Sequence, residues 1–441
     1  MTFKIGLVSL GCAKNQTDAE TMLAMLINKG CEIVSDPSQA DVIIVNTCGF
    51  IDSAKQESID AILEMAEYKA EGSCKKLIVT GCLAERYSKD ILDELPEVDA
   101  VLGTGDYDKI ADIINRAFTE DKIPVMCGNI DNTPECGAER VLLTPDYTAY
   151  LKIADGCDNN CTYCAIPKIR GHYRSRHIED ITAEAKTLAA NGVKELILIA
   201  QDTTRYGTDI GVTLSDLLEA LVPIEGIEWI RVHYYYSEAL TNDIIDTMAK
   251  YDKICNYIDM PIQHADNYIL RRMARRTSRE EMEEKIAYMR KKLENCYIRT
   301  SIIVGFPGET EEHFENLYDF VEKMRFDRMG VFTYSREEGT AAADFEDQVD
   351  EEIKNERLDR LMSLQQKISL ELNQNKIGSV LEVLVEGYDE DNFLFYGRGR
   401  GDSIDVDGKI YFGTEEEVNP GDIIKVEILD ASEYDLTGRR V

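Results

Sequence analysis

The chain runs to 441 residues with 44% apolar content and a formal net charge of −34. That length suits about two to four domains with a sizeable core, and no apolar run approaches the ~18 residues a membrane span needs. So acidic a field repels nucleic-acid phosphate and attracts basic partners. Twelve cysteines in a long chain without an apolar leader do not fit a small secreted disulfide scaffold; they suit a reducing cytoplasm with thiols kept free for metal.

Residues 1–125 alternate strand and helix patterns. Buried strands are expected at Lys4–Leu10, Val42–Val45, Leu77–Thr80 and Val98–Leu102. Helices are expected at Asp18–Asn28, 53–68, near Ser88–Glu94 and at Ile110–Ala117. The alternation predicts a doubly wound parallel sheet covered on both faces. Three cysteines follow strands next to a glycine: Gly11-Cys12, Cys48-Gly49 and Gly81-Cys82. Strand C-terminal ends of a parallel sheet lie on one edge, where ligands bind. Three residues far apart in sequence should therefore converge as a second iron–sulfur site, the alternative being three half-buried loop thiols. Cys31, Cys74, Cys127 and Cys136 show no such pattern and read as ordinary thiols. Residues 126–143, with Gly, Asn, Thr and Pro, read as a linker.

Next comes Gly156-Cys157-Asp158-Asn159-Asn160-Cys161-Thr162-Tyr163-Cys164. Three thiolates at spacings x3 and x2 can bind three corners of a cluster and leave the fourth metal open for chemistry. Zinc or buried thiols are the alternatives. Zinc sites usually show four ligands in paired units, and although His172 and His177 follow, no second C-x2-C does. Strands are expected at Tyr150–Ile153, Glu195–Ala200, Trp229–Tyr235, Tyr257–Ile262, Ile298–Val304 and Met329–Tyr334, with helices between them. Six βα units from 144 to 375, ending in an amphipathic helix, predict a partial (β/α)6 barrel with its active groups at strand C-terminal ends. Polar groups stand there: Gln201-Asp202, Gln263-His264 and Gly305 to Glu309. A turn or helix cap is the alternative for each. The basic run Lys168, Arg170, Arg174, Arg176 follows the cysteine loop. It either counters negative charge there or forms a solvated face. Arg271, Arg272, Arg275 and Arg276 read as a helix face. Cys255 and Cys296 read as core.

Residues 376–441 change to short alternating strands (Val380–Glu386, Phe393–Gly397, Lys409–Tyr411, Ile423–Ile428), which predict a small antiparallel β-barrel. Sixteen Asp/Glu stand against seven Lys/Arg in this stretch. Such a surface suits a cationic protein better than RNA.

C-x3-C-x2-C with an aromatic before the last Cys resembles the radical S-adenosylmethionine (SAM) enzymes. The three-part order resembles the methylthiotransferases over essentially the whole chain: a three-cysteine domain, a radical-SAM barrel and a small C-terminal barrel called TRAM. The resemblance implies two [4Fe-4S] clusters, one on Cys157, Cys161 and Cys164 and one on Cys12, Cys48 and Cys82. It places SAM at the first of these, and Tyr163, Arg174, Gln201, Gln263, Gly305 and Glu309 are the expected contacts. Within the family, one branch modifies adenosine in transfer RNA. The other modifies an aspartate of the twelfth small-subunit ribosomal protein, free or in the ribosome. Ser9-Leu10-Gly11-Cys12-Ala13-Lys14-Asn15, Asn46-Thr47-Cys48-Gly49-Phe50-Ile51, Ile169-Arg170-Gly171 and Ile258-Asp259-Met260-Pro261-Ile262-Gln263-His264 look like the second branch. The acidic tail agrees independently. The reading implied is a cytoplasmic transferase that uses two SAM and an electron donor such as flavodoxin or ferredoxin, with two open irons facing one cavity. Transfer RNA as substrate is one rival. A two-cluster electron carrier is the other, but it leaves the barrel and its polar strand ends unexplained.

Overall fold

The computed structural model describes residues 3–132 and 140–441. Part of the expected linker, Cys136 included, lies outside the described residues. Six strands, β1 (Lys4–Ser9), β2 (Glu32–Ile33), β3 (Val42–Thr47), β4 (Lys76–Gly81), β5 (Ala100–Leu102) and β6 (Val125–Met126), form one parallel sheet in the order β2-β1-β3-β4-β5-β6. Helices α1 (Ala13–Asn28), α2 (Asp52–Glu71), α3 (Cys82–Glu94) and α4 (Ile110–Thr119) cover it. The strands are apolar on both sides because both sides are buried. Val42, Ile44 and Ile78 pack with Met22, Leu26 and Ile113 on one face. Ile43, Val45, Leu77 and Val79 pack with Ile62, Met65 and Ile91 on the other. The expected doubly wound sheet is thus observed. The edge strands β2 and β6 have two residues each, too short to carry a pattern.

The second sheet system begins with β7 (Thr148–Lys152) and runs directly into a two-residue antiparallel pair, β8 (Ala154–Asp155) with β9 (Arg174–Ser175). Between them lie the cysteine loop and the short helix α5 (Ile166–Arg170). The series continues through α6 (Ile178–Ala190), β10 (Glu195–Ile199), α7 (Leu214–Leu221), β11 (Trp229–Val232), α8 (Asn242–Lys250), β12 (Tyr257–Asp259), α9 (Asn267–Arg272), α10 (Arg279–Lys292), β13 (Tyr297–Val304), α11 (Glu311–Met324), β14 (Arg328–Thr333) and α12 (Glu351–Gln374). The six long strands pair in parallel as β7-β10-β11 and β12-β13-β14. A single parallel bridge, Ile230 to Ile254, carries β11 toward β12. Their outer side chains meet the helices in one large core. Among the described residues no helix is long and apolar enough to cross a membrane.

The tail closes as a five-stranded barrel of β15 (Val380–Asp389), β16 (Leu394–Gly399), β17 (Ile410–Gly413), β19 (Leu436–Arg440) and β18 (Ile423–Ala431). The last strand, Leu-Thr-Gly-Arg-Arg, has no apolar alternation and escapes the sequence pattern. It closes the barrel by pairing in parallel with β17. The loop between β16 and β17 fills the inner side of the six-stranded array. Ile404 packs on Tyr150, Ile197 and Ile199. Ser403 Oγ lies 2.8 Å from His233 Nε2, and Tyr257 donates to Asp407 at 2.7 Å.

One buried acid anchors this docking. Glu195 at the start of β10 takes Arg398 of the tail at 2.7 Å and Arg231 of β11 at 2.9 Å. Burial opposes its ionisation, but the two guanidinium groups outweigh burial and hold its carboxyl at about 2, against an ordinary 4.5. The folded value lies below the unfolded one. The stabilisation is therefore complete above the ordinary value and is lost as pH falls through the folded one; it is on the order of 3 kcal/mol. The chain's one tryptophan, Trp229, is buried at the same seam beside Leu384. We expect its emission to shift as acid undocks the tail. Glu195→Gln, which leaves two buried guanidinium groups without their carboxylate, should be undocked already at neutral pH. Identical acid transitions in the two proteins would contradict this.

Candidate active site

The sheet edge gathers Cys12, Cys48 and Cys82. Cys12 is the N-cap of α1 after β1, Cys48 follows β3, and Cys82 opens α3 directly after β4. The neighbouring glycines interlock the three turns. A Cβ on Gly11 (φ +89°) would lie 2.8 Å from Cys48 Cβ, and one on Gly81 (φ +95°) would lie 2.5 Å from the Thr47 carbonyl. Asn15 ties the edge together by donating to the Leu10 and Thr47 carbonyls at 2.7 and 3.2 Å. The three thiols feel one another's charge. Burial pushes Cys82 up to about 11, against the pull of Arg170. Burial opposes ionisation of Cys12 as well, but Lys14 and Arg170 outweigh it and hold that thiol below its ordinary value.

The second loop follows β8. Gly156 (φ +78°) passes so close to the His172 carbonyl that a Cβ would sit 1.9 Å from that oxygen. The Cys157 amide donates to the Gly171 carbonyl, and Thr162 is held by the Met273 and Arg272 carbonyls. Asp202, at the end of β10, accepts from Asn159 at 2.8 Å and so fixes the span between Cys157 and Cys161. Burial raises the Asp202 carboxyl. Burial also raises Cys157, to about 11, and raises Cys164, to which the charge of Cys161 adds. Cys161 Sγ lies 3.4 Å from the Tyr236 hydroxyl.

The two loops adjoin. Cys82 packs against Ala165 and Ile169, immediately after Cys164. Arg170, 3% exposed, spans the seam: it reaches Asp18 at 2.5 Å, Asp155 at 3.3 Å, Asn15 at 3.2 Å and Cys82 Sγ at 3.7 Å. Lys152 pairs with the same two aspartates. Burial opposes ionisation of Asp155, but Lys152 and Arg170 hold it well below the usual carboxylate range. The basic run is therefore not a solvated face at its centre.

The other expected residues fall into two groups. Gln201 donates to Asp155 at 2.8 Å, and among the described residues its buried Oε1 has no partner, nor has the buried Nε of Arg174. Tyr163 is half-buried beside Cys161, Cys164 and Arg275. Gln263, at the end of β12, has φ +68°, a conformation that costs a non-glycine residue about 1–3 kcal/mol. Glu309 and Gly305 turn the other way. Glu309 accepts from the Gly305 amide and pairs with Arg357 of α12. A Cβ on Gly305 would meet Lys354 at 2.2 Å. Sequence reasoning passed over the end of β11. There Tyr234 takes φ +60° and its ring carries Lys14 Nζ at 3.4 Å. Glu238 holds Arg275 at 2.9 Å, and Arg275 stacks on Tyr236. Arg275 is therefore buried under the cysteine loop, not displayed on a helix face.

An incomplete parallel barrel with C-x3-C-x2-C after its first strand defines a radical-SAM enzyme, here with a second cysteine site set against the first. The comparisons agree. Residues 151–321 match the Radical SAM superfamily, residues 4–103 the Uncharacterized protein family UPF0004, and residues 377–441 the TRAM domain. Over 99% of this chain and 98% of the relative, identity is 53% to the ribosomal protein uS12 methylthiotransferase RimO of Clostridioides difficile (strain 630). It is 50% over the whole of both chains to the protein of that name from Pelotomaculum thermopropionicum. Among solved structures, the radical SAM methyltransferase TsrM of Kitasatospora setae, with cobalamin and a [4Fe-4S] cluster bound, shares the fold. Its TM-score is 0.58 at 12% identity, over 87% of this chain and 77% of that one. The chain belongs to the ribosomal protein uS12 methylthiotransferase family. It is a radical-SAM methylthiotransferase whose cofactors are SAM and [4Fe-4S] clusters.

The residues present fit such clusters. Each site offers three thiols that feel one another's charge. Yet among the described residues no three His, Cys, Asp or Glu are placed around a single metal ion. A cluster is broader than an ion and takes its thiolates at separate corners. Thiols raised by burial keep their protons until a metal displaces them.

Proposed function

We propose that this chain places a methylthio group on the β-carbon of an aspartate in ribosomal protein uS12, the substrate its relatives' names carry. The observation that carries the reading is the seam between two three-cysteine sites, closed by Cys82 against Ala165. We assign Cys12, Cys48 and Cys82 to one [4Fe-4S] cluster and Cys157, Cys161 and Cys164 to the other, with SAM at the second. When bound, these groups would supply one-electron cleavage of SAM and a sulfur that accepts a methyl group and is transferred together with it. A thiolate-like sulfur is itself the nucleophile, so the chain need supply no base for the methyl transfer.

The chain's own residues orient and seclude. Asp202 and Thr162 fix the cysteine loop, and the tail loop at Ser403 and Ile404 closes the barrel from within. The buried Oε1 of Gln201 and Nε of Arg174, without a partner among the described residues, support contacts to the amino and carboxyl groups of SAM, since buried polar atoms seek partners. Tyr163 and Gln263 complete the assignment. The exposed surface of the tail supports a cationic protein partner. Glu382, Glu390, Asp391, Asp405, Glu415, Glu416, Glu417 and Asp430 are exposed, while Arg398 is buried. A flavodoxin or ferredoxin is the electron donor we infer, and the cytoplasm the compartment. The divisions we infer are 1–125, 126–143, 144–375 and 376–441.

The test is direct. Reduced holoenzyme, SAM and either uS12 or transfer RNA are incubated, and each product is weighed. We expect CH3S in place of H on one uS12 aspartate and unchanged transfer RNA. Modified adenosine with unmodified uS12 would overturn the reading.

A further inference from the structure

A target aspartate must bring its carboxylate between the two cysteine loops, and a carboxylate leaving water there needs a cation. This rests on the reading above that the substrate is an aspartate. Most cations at the seam are already engaged. Arg170 and Lys152 share Asp18 and Asp155. Arg275 is held by Glu238, while Arg86 and Lys55 are held by Glu337. Lys14 differs. Its ammonium lies 3.4 Å over the Tyr234 ring, beside Cys12 and Arg170. Among the described residues it makes no ion pair.

Its place suits the task. Lys14 lies in the first turn of α1, two residues after Cys12. Tyr234, two residues past β11 of the barrel, has φ +60°. Ala13 packs into the same small cluster as Tyr234 and Tyr150. The ammonium therefore stands where the sheet edge meets the barrel edge, carried by an aromatic face that binds a cation without neutralising it. The left-handed backbone at Tyr234 costs a non-glycine residue about 1–3 kcal/mol.

We propose that Lys14 receives the carboxylate of the target aspartate and so sets the position of its β-carbon between the two cysteine loops. An asparagine at the target would offer no charge to pair.

The experiment is a double-mutant cycle in holoenzyme. Wild type, Lys14→Met and Lys14→Arg are each titrated with uS12 and with uS12 whose modified aspartate is changed to asparagine, and dissociation constants and product formation are read for every pair. Methionine keeps an apolar stem against Tyr234 and removes only the charge. Wild type should prefer aspartate by about 10- to 100-fold, the range for a hydrogen bond to a charged group. Lys14→Met should lose that preference and bind the asparagine form as wild type does. Lys14→Arg should keep part of it. Iron and sulfide per chain, measured on each variant, show whether the cysteine sites are filled. A full aspartate preference in Lys14→Met overturns the proposal. Loss of iron with the preference intact overturns it in favour of a lysine that serves Cys12. If wild type itself neither prefers nor modifies the aspartate form, the substrate assignment fails first, and that is visible before any lysine is changed.

Discussion

Cys161→Ala should abolish formation of 5′-deoxyadenosine, whereas Cys48→Ala should keep it and lose only the methylthio product. The difference follows from where each thiol stands. Cys161 is the middle member of C-x3-C-x2-C and touches the Tyr236 hydroxyl. Removing it leaves two thiols in a loop whose other contacts, Asn159 to Asp202 and Thr162 to Arg272, belong to backbone and neighbours. The loop should stay folded and the site should lose its cluster. Cys48 lies across the seam at the end of β3, with its amide and carbonyl both tied to Ser58 Oγ, at 3.0 and 2.9 Å. Its backbone is held whatever the side chain, so Cys48→Ala should leave the barrel half intact. Losses of several orders of magnitude are expected for each affected step, because no residual group can replace a cluster's chemistry. Deoxyadenosine measured by chromatography and methylthio product measured by mass give the two readouts. A Cys161→Ala protein that still cleaves SAM at the wild-type rate would sink the assignment. So would a Cys48→Ala protein that still makes product.

Much of this arrangement can be read from local sequence, because burial on both faces writes itself as continuous apolar runs. Val42–Val45 and Leu77–Val79 could be little else but central strands, and the Gly-Cys junctions followed from them. What stayed hidden depends on partners far along the chain. Glu195 looks like one more strand residue until Arg398, 203 positions away, is brought onto it. The end of β11 was concealed by its own composition. His-Tyr-Tyr-Tyr reads as more strand, yet the strand stops at Val232 and Tyr234 turns to φ +60°. Arg275 looks like the third of four arginines on a helix face, but α9 ends at Arg272 and Ala274, at φ +56°, turns the next side chain inward. Gly305 shows the opposite case. Its glycine suggested room for a ligand, and the room is filled by Lys354 from α12. A local pattern reports that space or charge is needed there. It does not report which group arrives.

Arg170→Met should cost the folded protein about 3–5 kcal/mol, the range for breaking a buried ion pair by removing one partner. The guanidinium is 3% exposed and joins Asp18 of α1, Asp155 before the cysteine loop, Asn15, and Cys82 Sγ. With it gone, Lys152 is left to pair with both Asp18 and Asp155. Arg170→Lys should recover little, because a single ammonium cannot present the fork that reaches Asp18 and Asn15 together. The sharper measurement is the cycle with Asp18→Asn. If the pair acts as a unit, the double variant should be more stable than the sum of the two single losses by about 1–3 kcal/mol. Losses that add within about 0.5 kcal/mol would show that the two halves are joined by apolar packing, with the ion pairs along for the ride. The functional consequence is specific. Arg170 spans the seam with Cys82 on one side and the helix after Cys164 on the other. Its loss should therefore reduce methylthio product more than it reduces SAM cleavage, since cleavage needs one loop and transfer needs both.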